Sequence, residues 1–315
     1  MKVTEYFKKS KKTLFSYEII PPMRGSSIDN VFSLIEQLLP YEPPFIDLTS
    51  RSAEVYYEEL EDGSLRRHAK RKRPGTIGLS AAIKNRYNIE TVPHILCKGF
   101  TKEETEDALI ELNFLGINNI LAIQGDVFRR LSSDKTGKTH NIFANDLVKQ
   151  IKNMNCGDYL EELSGASATD FCIGVAGYPE KHLEAPNLES DLKYLKKKVD
   201  AGADYIVTQM SFDNNKYFEF IKRCQAIGIK IPIIPGIKII TRESHLKTIP
   251  KTFHIDVPNE LSEQIEGFSK EKIYQTGVDW AIKQCRELIE AKVPCIHFYI
   301  MNTAQEVAEV VSTIK

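Results

Sequence analysis

Short apolar runs alternate with longer amphipathic segments along the whole chain. The runs are rich in β-branched and aromatic residues and are bounded by turn residues, a pattern typical of buried strands. We predict strands at Leu14–Ile20, Phe45–Thr49, Pro93–Cys97, Asn118–Ile123, Phe171–Ala176, Tyr205–Gln209, Ile231–Pro235 and Cys295–Ile300. The chain therefore offers eight candidate strands.

Helix signals fill three of the intervals between these strands. The segment "TKEETEDALIELNFLG" opens with a Thr cap and an acidic first turn and ends at Gly116. The segment "LESDLKYLKKKVDAG" has apolar residues at helical spacing and stops at Gly202. The segment "DNNKYFEFIKRCQAIG" begins with an Asp cap and ends at Gly228. We predict a helix in each.

Strands that alternate with helices pair in parallel through right-handed crossovers. Eight such units in 315 residues predict a closed (β/α)8 TIM barrel of the α/β class, with residues 1–315 as a single domain. A doubly wound open sheet is the alternative, but no G-x-G-x-x-G turn follows the first strand. Residues 50–75 and about 128–141 read as long irregular stretches.

Composition limits the class of protein. Hydrophobic residues make up 42% and charged residues 27%, which is typical of globular proteins, and the net charge of −1 argues against a general polyanion-binding surface. No apolar run approaches the roughly 20 residues of a membrane span, and the N-terminus lacks the apolar core of a signal peptide. The six cysteines contain no C-x-x-C pair. We therefore predict reduced, mostly buried thiols, no metal site and a cytoplasmic protein.

Glu18, within "LFSYEIIPP", is the first candidate for chemistry. A carboxylate at an apolar strand end is costly unless something uses it, and the carboxyl ends of barrel strands form the catalytic face. We expect desolvation, and repulsion from Asp126 if that residue is near, to raise the pKa of Glu18 and make it a general acid. The alternative is an ordinary rim carboxylate bonded to a lysine or a backbone amide.

Other polar residues lie near predicted strand ends. Asp126 follows Gly125 in "LAIQGD", which is also common turn chemistry, and His94 near the start of the third strand is equally typical of a packing histidine. Gln209 ends "YIVTQ", where an amide is suited to bidentate hydrogen bonding to a heterocycle.

Seven stretches in order resemble the motif series of the 5,10-methylenetetrahydrofolate reductases. They are "FSYEIIPP", "PHILC", "LAIQGD", "GYPEKHLEA", "VDAGADYIVTQMSFD", "PIIPGI" and "VPCIHFYIMN". The resemblance implies an eight-stranded barrel holding FAD, which carries hydride from NADH or NADPH to the folate in ping-pong order and feeds methionine synthesis. It also implies a cytoplasmic homo-oligomer of the short bacterial form. Because the chain ends at Lys315, we expect no C-terminal S-adenosylmethionine-binding domain.

The resemblance assigns roles residue by residue. Glu18 matches the acid that protonates a folate ring nitrogen, Asp126 matches the negative charge that stabilises the resulting iminium, and Gln209 matches the glutamine that binds the pterin edge. Positions that match FAD contacts are Thr49, His94, Gln124, Gly125, Asp126, Ala144, Tyr178, His182, Ala185, Asp191, Lys197 and Lys198. From its pattern alone, Lys198 would lie on a solvated helix face.

The chain departs from the family pattern at several positions. Gln124 stands where the family often has Arg, a loss that Arg129 or Arg130 could offset. Lys238 stands where the motif commonly runs on to Pro, and Thr303 occupies a frequent Arg position. These departures concern how the folate tail and the nucleotide are held.

The basic run "RRHAKRKRP", from Arg66 to Pro74, has two interpretations. It is either a solvated loop or a basic surface that binds an anionic substrate through, for example, nucleotide phosphates or a polyglutamate tail. Nucleic-acid binding is disfavoured because no aromatic residue interleaves the run. A flavin-free lyase or aldolase, for which Lys238 comes nearest to a strand-end lysine, and a noncatalytic binding barrel are the rival functions.

Overall fold

The computed structural model describes residues 1–50, 54–70, 72–125, 139–300 and 303–315. The strands in these ranges are β1 Leu14–Ile19, β2 Phe45–Leu48, β3 Glu54–Glu59, β4 Leu65–Lys70, β5 Glu90–Leu96, β6 Asn119–Ile123, β7 Cys172–Gly177, β8 Tyr205–Met210, β9 Ile233–Ile237 and β10 Cys295–Tyr299. The α-helices are α1 Val3–Lys9, α2 Asp29–Leu38, α3 Ile77–Tyr87, α4 Lys102–Phe114, α5 Ala144–Asn155, α6 Leu188–Asp200, α7 Asn214–Ala226, α8 His245–Phe253, α9 Asn259–Glu263, α10 Lys270–Glu290 and α11 Gln305–Ile314. A 3-10 turn covers Leu39–Tyr41.

Eight of these strands close into a parallel barrel, in the order β1, β10, β9, β8, β7, β6, β5, β2. This confirms the predicted (β/α)8 barrel and all eight predicted strands. The largest difference in bounds is at the third barrel strand, which begins at Glu90 and not at Pro93. His94 is therefore in the second half of its strand, close to the carboxyl end, and the prediction that it lies near the start was wrong.

Alternation along the strands divides the barrel interior into two zones. The lower interior is apolar, with Phe45, Val92 and Cys295 in one buried cluster, and α1 closes this end by placing Phe7 6.3 Å from the ring of Phe45. Two residues further along the same strands, the inward positions become polar. The fold therefore supports a polar layer on an apolar floor at the carboxyl ends of the strands.

The three helices with clear sequence signals form as predicted. Thr101 caps α4 by accepting a hydrogen bond from the backbone of Glu104, and Asp213 caps α7 in the same way. The glycines that end α4, α6 and α7 have φ angles of 66°, 116° and 79°, in the region that side chains disfavour. Local capping chemistry accounts for these bounds.

The prediction of an irregular stretch after β2 was wrong. Strands β3 and β4 form an antiparallel hairpin that places the acidic segment opposite the basic one, with Glu58 facing Arg66 in the register. His68 Nε2 lies 2.7 Å from Glu58 Oε2. Cross-strand pairing of opposite charges thus neutralises part of the basic run. The second irregular stretch falls mostly outside the described residues.

All six cysteines are free, and five of them are buried, as predicted. In the part of the chain that the structure describes, no helix is both long and apolar enough to cross a bilayer. The same residues contain no group of three or more histidine, cysteine and acidic side chains placed to hold a metal ion.

Candidate active site

Glu18 points into the barrel from the carboxyl end of β1. Thr49 Oγ1, just beyond β2, donates a 2.6 Å hydrogen bond to Glu18 Oε1. The other oxygen, Oε2, lies 3.5 Å from His297 Nε2 and 3.7 Å from His94 Nε2. Three different strands therefore bring polar atoms to a carboxylate that is only 13% exposed.

The expected rise in the pKa of Glu18 was wrong. Burial does raise the pKa, but His94, His297 and the Thr49 hydroxyl together outweigh it and lower the value to about 2. The reciprocal effect acts on His94, where burial lowers the pKa but the two neighbouring carboxylates, Glu18 and Asp47, bring it above the usual value. Glu18 is therefore ionised near neutral pH and lies beside a histidine whose pKa is raised.

Asp47 lies next to Glu18 in the parallel register of β1 and β2. It is fully buried, and neither carboxylate oxygen has a hydrogen-bond partner among the described residues. His94 Nε2 is 3.7 Å from Oδ1, and His297 Nδ1 is 3.9 Å from Oδ2. Two carboxylates and two histidines thus share one buried layer of the barrel.

A cleft opens between the carboxyl ends of β6 and β7, the first turn of α5 and one face of α6. Seven of the twelve residues that match FAD contacts line it: Gln124, Ala144, Tyr178, His182, Ala185, Asp191 and Lys198. Phe143 and Tyr194 also line it. The family resemblance assigned these positions one by one, and the fold brings them together in one cleft.

Lys198 supplies the positive charge of the cleft. Its ammonium donates a hydrogen bond to the carbonyl of Ala176, and burial lowers its pKa to about 8 against the opposing effect of Asp191. Lys198 Nζ lies 5.9 Å from the centre of the Tyr178 ring. The interpretation of Lys198 as a solvated surface residue therefore does not hold.

Asp191, on the same helix as Lys198, and His182 form another part of the cleft lining. Asp191 Oδ2 accepts a 3.0 Å hydrogen bond from the backbone N–H of His182, and burial raises the pKa of Asp191. Burial also lowers the pKa of His182, whose ring meets Tyr178 edge to face at 4.6 Å. This part of the lining therefore presents a neutral imidazole and an aromatic ring to the cleft.

This set of side chains fits a flavin dinucleotide. A half-buried ammonium suits a phosphate oxygen, and the small side chains of Ala144 and Ala185 leave room beside the first turns of two helices. Tyr178 and His182 offer neutral ring surfaces to a heterocycle. Lys198 is the residue that decides the fit, because it is the only lysine or arginine among the described residues that line the cleft, and its ammonium suits a phosphate.

Tyr299 connects the cleft with the carboxylate layer. Its hydroxyl donates a 2.8 Å hydrogen bond to the carbonyl of Thr208. Tyr299 is the register partner of Glu18 on the neighbouring strand, and Thr208 pairs with Gly177, the residue before Tyr178. The cleft and Glu18 are therefore neighbouring parts of one site.

The remaining predicted residues are placed as follows. Gln209 lies in β8 near its carboxyl end, and its Oε1 accepts from the backbone N–H of Met210 at 3.0 Å. Gly125 follows β6 with a φ of 85°, and Lys197 is exposed, with Nζ 5.3 Å from the ring centre of Tyr194. The prediction for Asp126 falls outside the described residues, as do those for Arg129 and Arg130.

Sequence reasoning missed His297 and gave Asp47 no role. Both lie on the inward face of their strands, in step with Cys295 and Phe45 two residues earlier. Applying the period-two rule to "CIHFY" and "FIDL" would have placed both side chains inside the barrel.

A sequence profile of the methylenetetrahydrofolate reductases matches residues 2–315. The chain belongs to this family. Methylenetetrahydrofolate reductase (NADH) 1 of Arabidopsis thaliana is 31% identical over 322 residues, which cover 96% of this chain and 49% of that protein. The 5,10-methylenetetrahydrofolate reductase of Pectobacterium carotovorum is 29% identical over 294 residues, covering 92% and 86% of the two chains. The chain thus spans about half the length of the plant relative and most of the bacterial one, and the resemblance drawn from seven motifs is confirmed.

One solved structure matches the fold over almost the full length of both chains. It is an uncharacterized protein from Clostridium thermocellum that binds two copies of 5-methyl-5,6,7,8-tetrahydrofolic acid. It covers 99% of this chain and 98% of its own with a TM-score of 0.60 at 13% identity. At that identity the match supports the barrel alone.

Proposed function

We propose that this chain reduces 5,10-methylenetetrahydrofolate to 5-methyltetrahydrofolate, with hydride drawn from NADH or NADPH through bound FAD. The observation that carries the proposal is the position of Glu18 beside a cleft lined by seven residues that match FAD contacts. The Arabidopsis and Pectobacterium relatives are methylenetetrahydrofolate reductases, which supports the proposal. The product would supply methyl groups for methionine synthesis in the cytoplasm.

Lys198 would meet the FAD phosphates, while Tyr178, His182 and Ala185 would pack against the cofactor. When bound, FAD accepts hydride from the nicotinamide and passes it on to the folate. Thr49 and His94 lie in the polar layer under the site, next to Glu18. Lys197 is proposed only as an outer electrostatic contribution, because its side chain is exposed.

Glu18 would deliver the proton. Folate binding replaces water at the mouth of the barrel and favours the neutral carboxyl group, so that Glu18 takes up a proton and transfers it to a folate ring nitrogen. Opening of the five-membered ring leaves an iminium whose methylene carbon accepts hydride. We propose that Asp126 stabilises this cation by its charge, and that Gln209 bonds to the pterin edge.

The decisive experiment separates the two half-reactions. We expect purified protein to be yellow, with absorbance near about 450 nm, to bleach anaerobically with NADH or NADPH, and to regain colour with methylenetetrahydrofolate. Stopped-flow traces with each nucleotide also measure the preference between them. Colourless protein that takes up no FAD, or reduced flavin that methylenetetrahydrofolate leaves reduced, would refute the proposal.

A flavin-free aldolase is less well supported. Lys238 directly follows β9, but its ammonium donates a 3.0 Å hydrogen bond to the carbonyl of Tyr299 and lies away from solvent, with only 7% of the residue exposed. A Schiff-base lysine has to reach its substrate.

Homo-oligomer formation belongs to the proposal as well, and light scattering should give a mass of at least two chains of 35.8 kDa each.

A further inference from the structure

We propose that Asp47 is a positioning residue that stabilises a proton on His94, and that His94 passes this proton to Glu18. This inference rests on the proposed function of Glu18 as the proton donor. It assigns a role to a side chain that touches neither the cleft nor Thr49, and its support is the geometry of the buried layer.

Asp47 is a carboxylate without any of the usual means of stabilisation. It is fully buried, and both of its oxygens lack hydrogen-bond partners among the described residues. No lysine or arginine in those ranges forms an ion pair with it, and the nearest cationic candidates are His94 Nε2 at 3.7 Å and His297 Nδ1 at 3.9 Å. An ionised carboxylate in this position would need a cation close by, and the two histidines are the groups placed to supply one.

Hydrogen bonding identifies which histidine it is. His297 Nδ1 lies 2.9 Å from Ser16 Oγ, and Cys295 Sγ donates to that same hydroxyl oxygen, which leaves the Ser16 proton free for His297. Since Nε2 also lies 3.5 Å from Glu18 Oε2, both ring nitrogens of His297 have a hydrogen-bond partner. His94 has no hydrogen-bond partner for either nitrogen among the described residues.

His94 is instead placed between two negative charges. Its Nε2 is 3.7 Å from Glu18 Oε2 and also 3.7 Å from Asp47 Oδ1. This equal spacing is the geometry of one imidazolium shared by two carboxylates. Removing Asp47 would leave His94 with a single counter-charge in a buried site, and desolvation would then favour loss of its proton.

The other titratable groups around this layer stay protonated near neutral pH. Burial raises the pKa of the Cys295 thiol, on β10, to about 12. It also raises the pKa of the phenols of Tyr205, on β8, and Tyr299, on β10, well above the usual value. These three groups therefore do not exchange protons with the carboxylate layer near neutral pH.

The transfer balances without any further reactant. The Nε2–H bond of His94 breaks and an O–H bond forms on Glu18; the Glu18 O–H bond then breaks as an N–H bond forms on the folate. His94 ends neutral, Asp47 and Glu18 end ionised, and His94 regains a proton from solvent between turnovers.

Histidine NMR on the flavin-bound, folate-free protein tests this directly. We expect the His94 ring, assigned by loss of its signal in His94→Gln, to remain cationic at pH 7. In Asp47→Asn the His94 midpoint should fall by about one pH unit or more. Tyr205→Phe is the matched control, since it removes a neighbouring buried polar atom without a charge, and it should leave the midpoint in place. A neutral His94 ring at pH 6 in the wild type would overturn the proposal, and this measurement does not depend on a variant that folds. An unchanged His94 titration midpoint in Asp47→Asn would overturn it as well.

The second readout is kinetic. Asp47→Asn should slow flavin reoxidation by methylenetetrahydrofolate about tenfold at pH 7 and shift the alkaline decline of that rate to lower pH. Flavin reduction by the nicotinamide nucleotide should change less than twofold. Equal loss in both half-reactions would make Asp47 merely structural. If the wild type fails to reduce methylenetetrahydrofolate at all, the proposed function falls, while the NMR titration still decides the Asp47–His94 coupling.

Discussion

At the scale of single residues, Glu18 is governed by two consequences of burial that oppose each other. Loss of water favours the neutral carboxyl group, while the same low-dielectric surroundings strengthen the attraction of His94 and the hydrogen bond from Thr49. The second effect is larger, so the pKa of Glu18 is lowered. To act as a proton donor, Glu18 must therefore take up a proton in each turnover.

Glu18→Gln should separate proton transfer from flavin chemistry. The amide keeps the size of the side chain and can still accept from Thr49, so that FAD binding and flavin reduction by the nucleotide should stay within about twofold of the wild type. Reoxidation by methylenetetrahydrofolate should fall by about 100-fold or more, because the acid is gone. Anaerobic stopped-flow absorbance measures both steps. Equal loss in the two steps would show that Glu18 acts structurally.

The Glu18–His94 pair should also shape stability against pH. The lowered pKa of Glu18 gives stability that is complete above about pH 4.5 and is lost as the pH falls toward about 2. The raised pKa of His94 gives stability that is complete below about pH 6.5 and is lost as the pH rises through its folded value. The free energy of unfolding of the wild type, relative to Glu18→Gln, should therefore be greatest near pH 5–6.

Denaturant titrations of both proteins from pH 3 to pH 8 measure that difference. We expect it to shrink by about 2 kcal/mol between pH 5.5 and pH 3. A difference that stays constant over this range would mean that Glu18 is equally ionised in the folded and unfolded chains.

Lys198 and Lys197 provide a matched pair of neighbouring cations. Lys198 lines the cleft with a half-buried ammonium, whereas Lys197 is exposed beside Tyr194. Lys198→Met should weaken FAD binding by about ten- to a hundredfold through loss of a desolvated phosphate contact, and Lys197→Met should change it by less than about threefold. Quenching of FAD fluorescence measures both affinities. Equal effects would mean that the cleft does not hold the phosphates.

At the scale of elements, α10 depends on a close approach to the chain after β9. A Cβ atom on Gly277 would lie 1.7 Å from the carbonyl oxygen of Ile240, and that backbone has little freedom to move. Gly277→Ala should therefore push α10 away and lower the free energy of unfolding by about 3 kcal/mol. Gly78→Ala, in α3, is the control, because nothing lies within 4 Å of its added Cβ.

In the control variant we expect the free energy of unfolding to be unchanged or raised by about 0.5 kcal/mol through higher helix propensity. Urea denaturation monitored by circular dichroism checks both variants. Gly277→Ala with wild-type stability would show that α10 can shift without cost.

The strands and capped helices could be predicted because their signals are local. Alternation, caps such as Thr101 and terminal glycines are legible within one short segment. The electrostatics of Glu18 could not be predicted, since His297 is 279 residues away in the chain and only closure of the barrel brings β10 beside β1. The β3–β4 hairpin was missed because its charged residues mask the alternation.

At the scale of the whole molecule, one end of one barrel carries both the cleft and the carboxylate layer, and Tyr299 lies between them. The opposite end is closed by α1 over an apolar floor. If FAD occupies the cleft as proposed, nucleotide and folate would both reach it from the mouth of the barrel.

This geometry makes a kinetic prediction. If nucleotide and folate use the same mouth, each must leave before the other enters, and initial rates at several fixed folate concentrations should give parallel double-reciprocal lines against the nucleotide. A folate product analogue should compete with the nucleotide for the reduced or oxidised flavin, because under the proposed function both would use the same face of the cofactor. Steady-state rates under anaerobic conditions measure this. Intersecting lines, with no competition, would require both substrates to bind at once, and one barrel mouth with a single cleft would then be the wrong picture of the site.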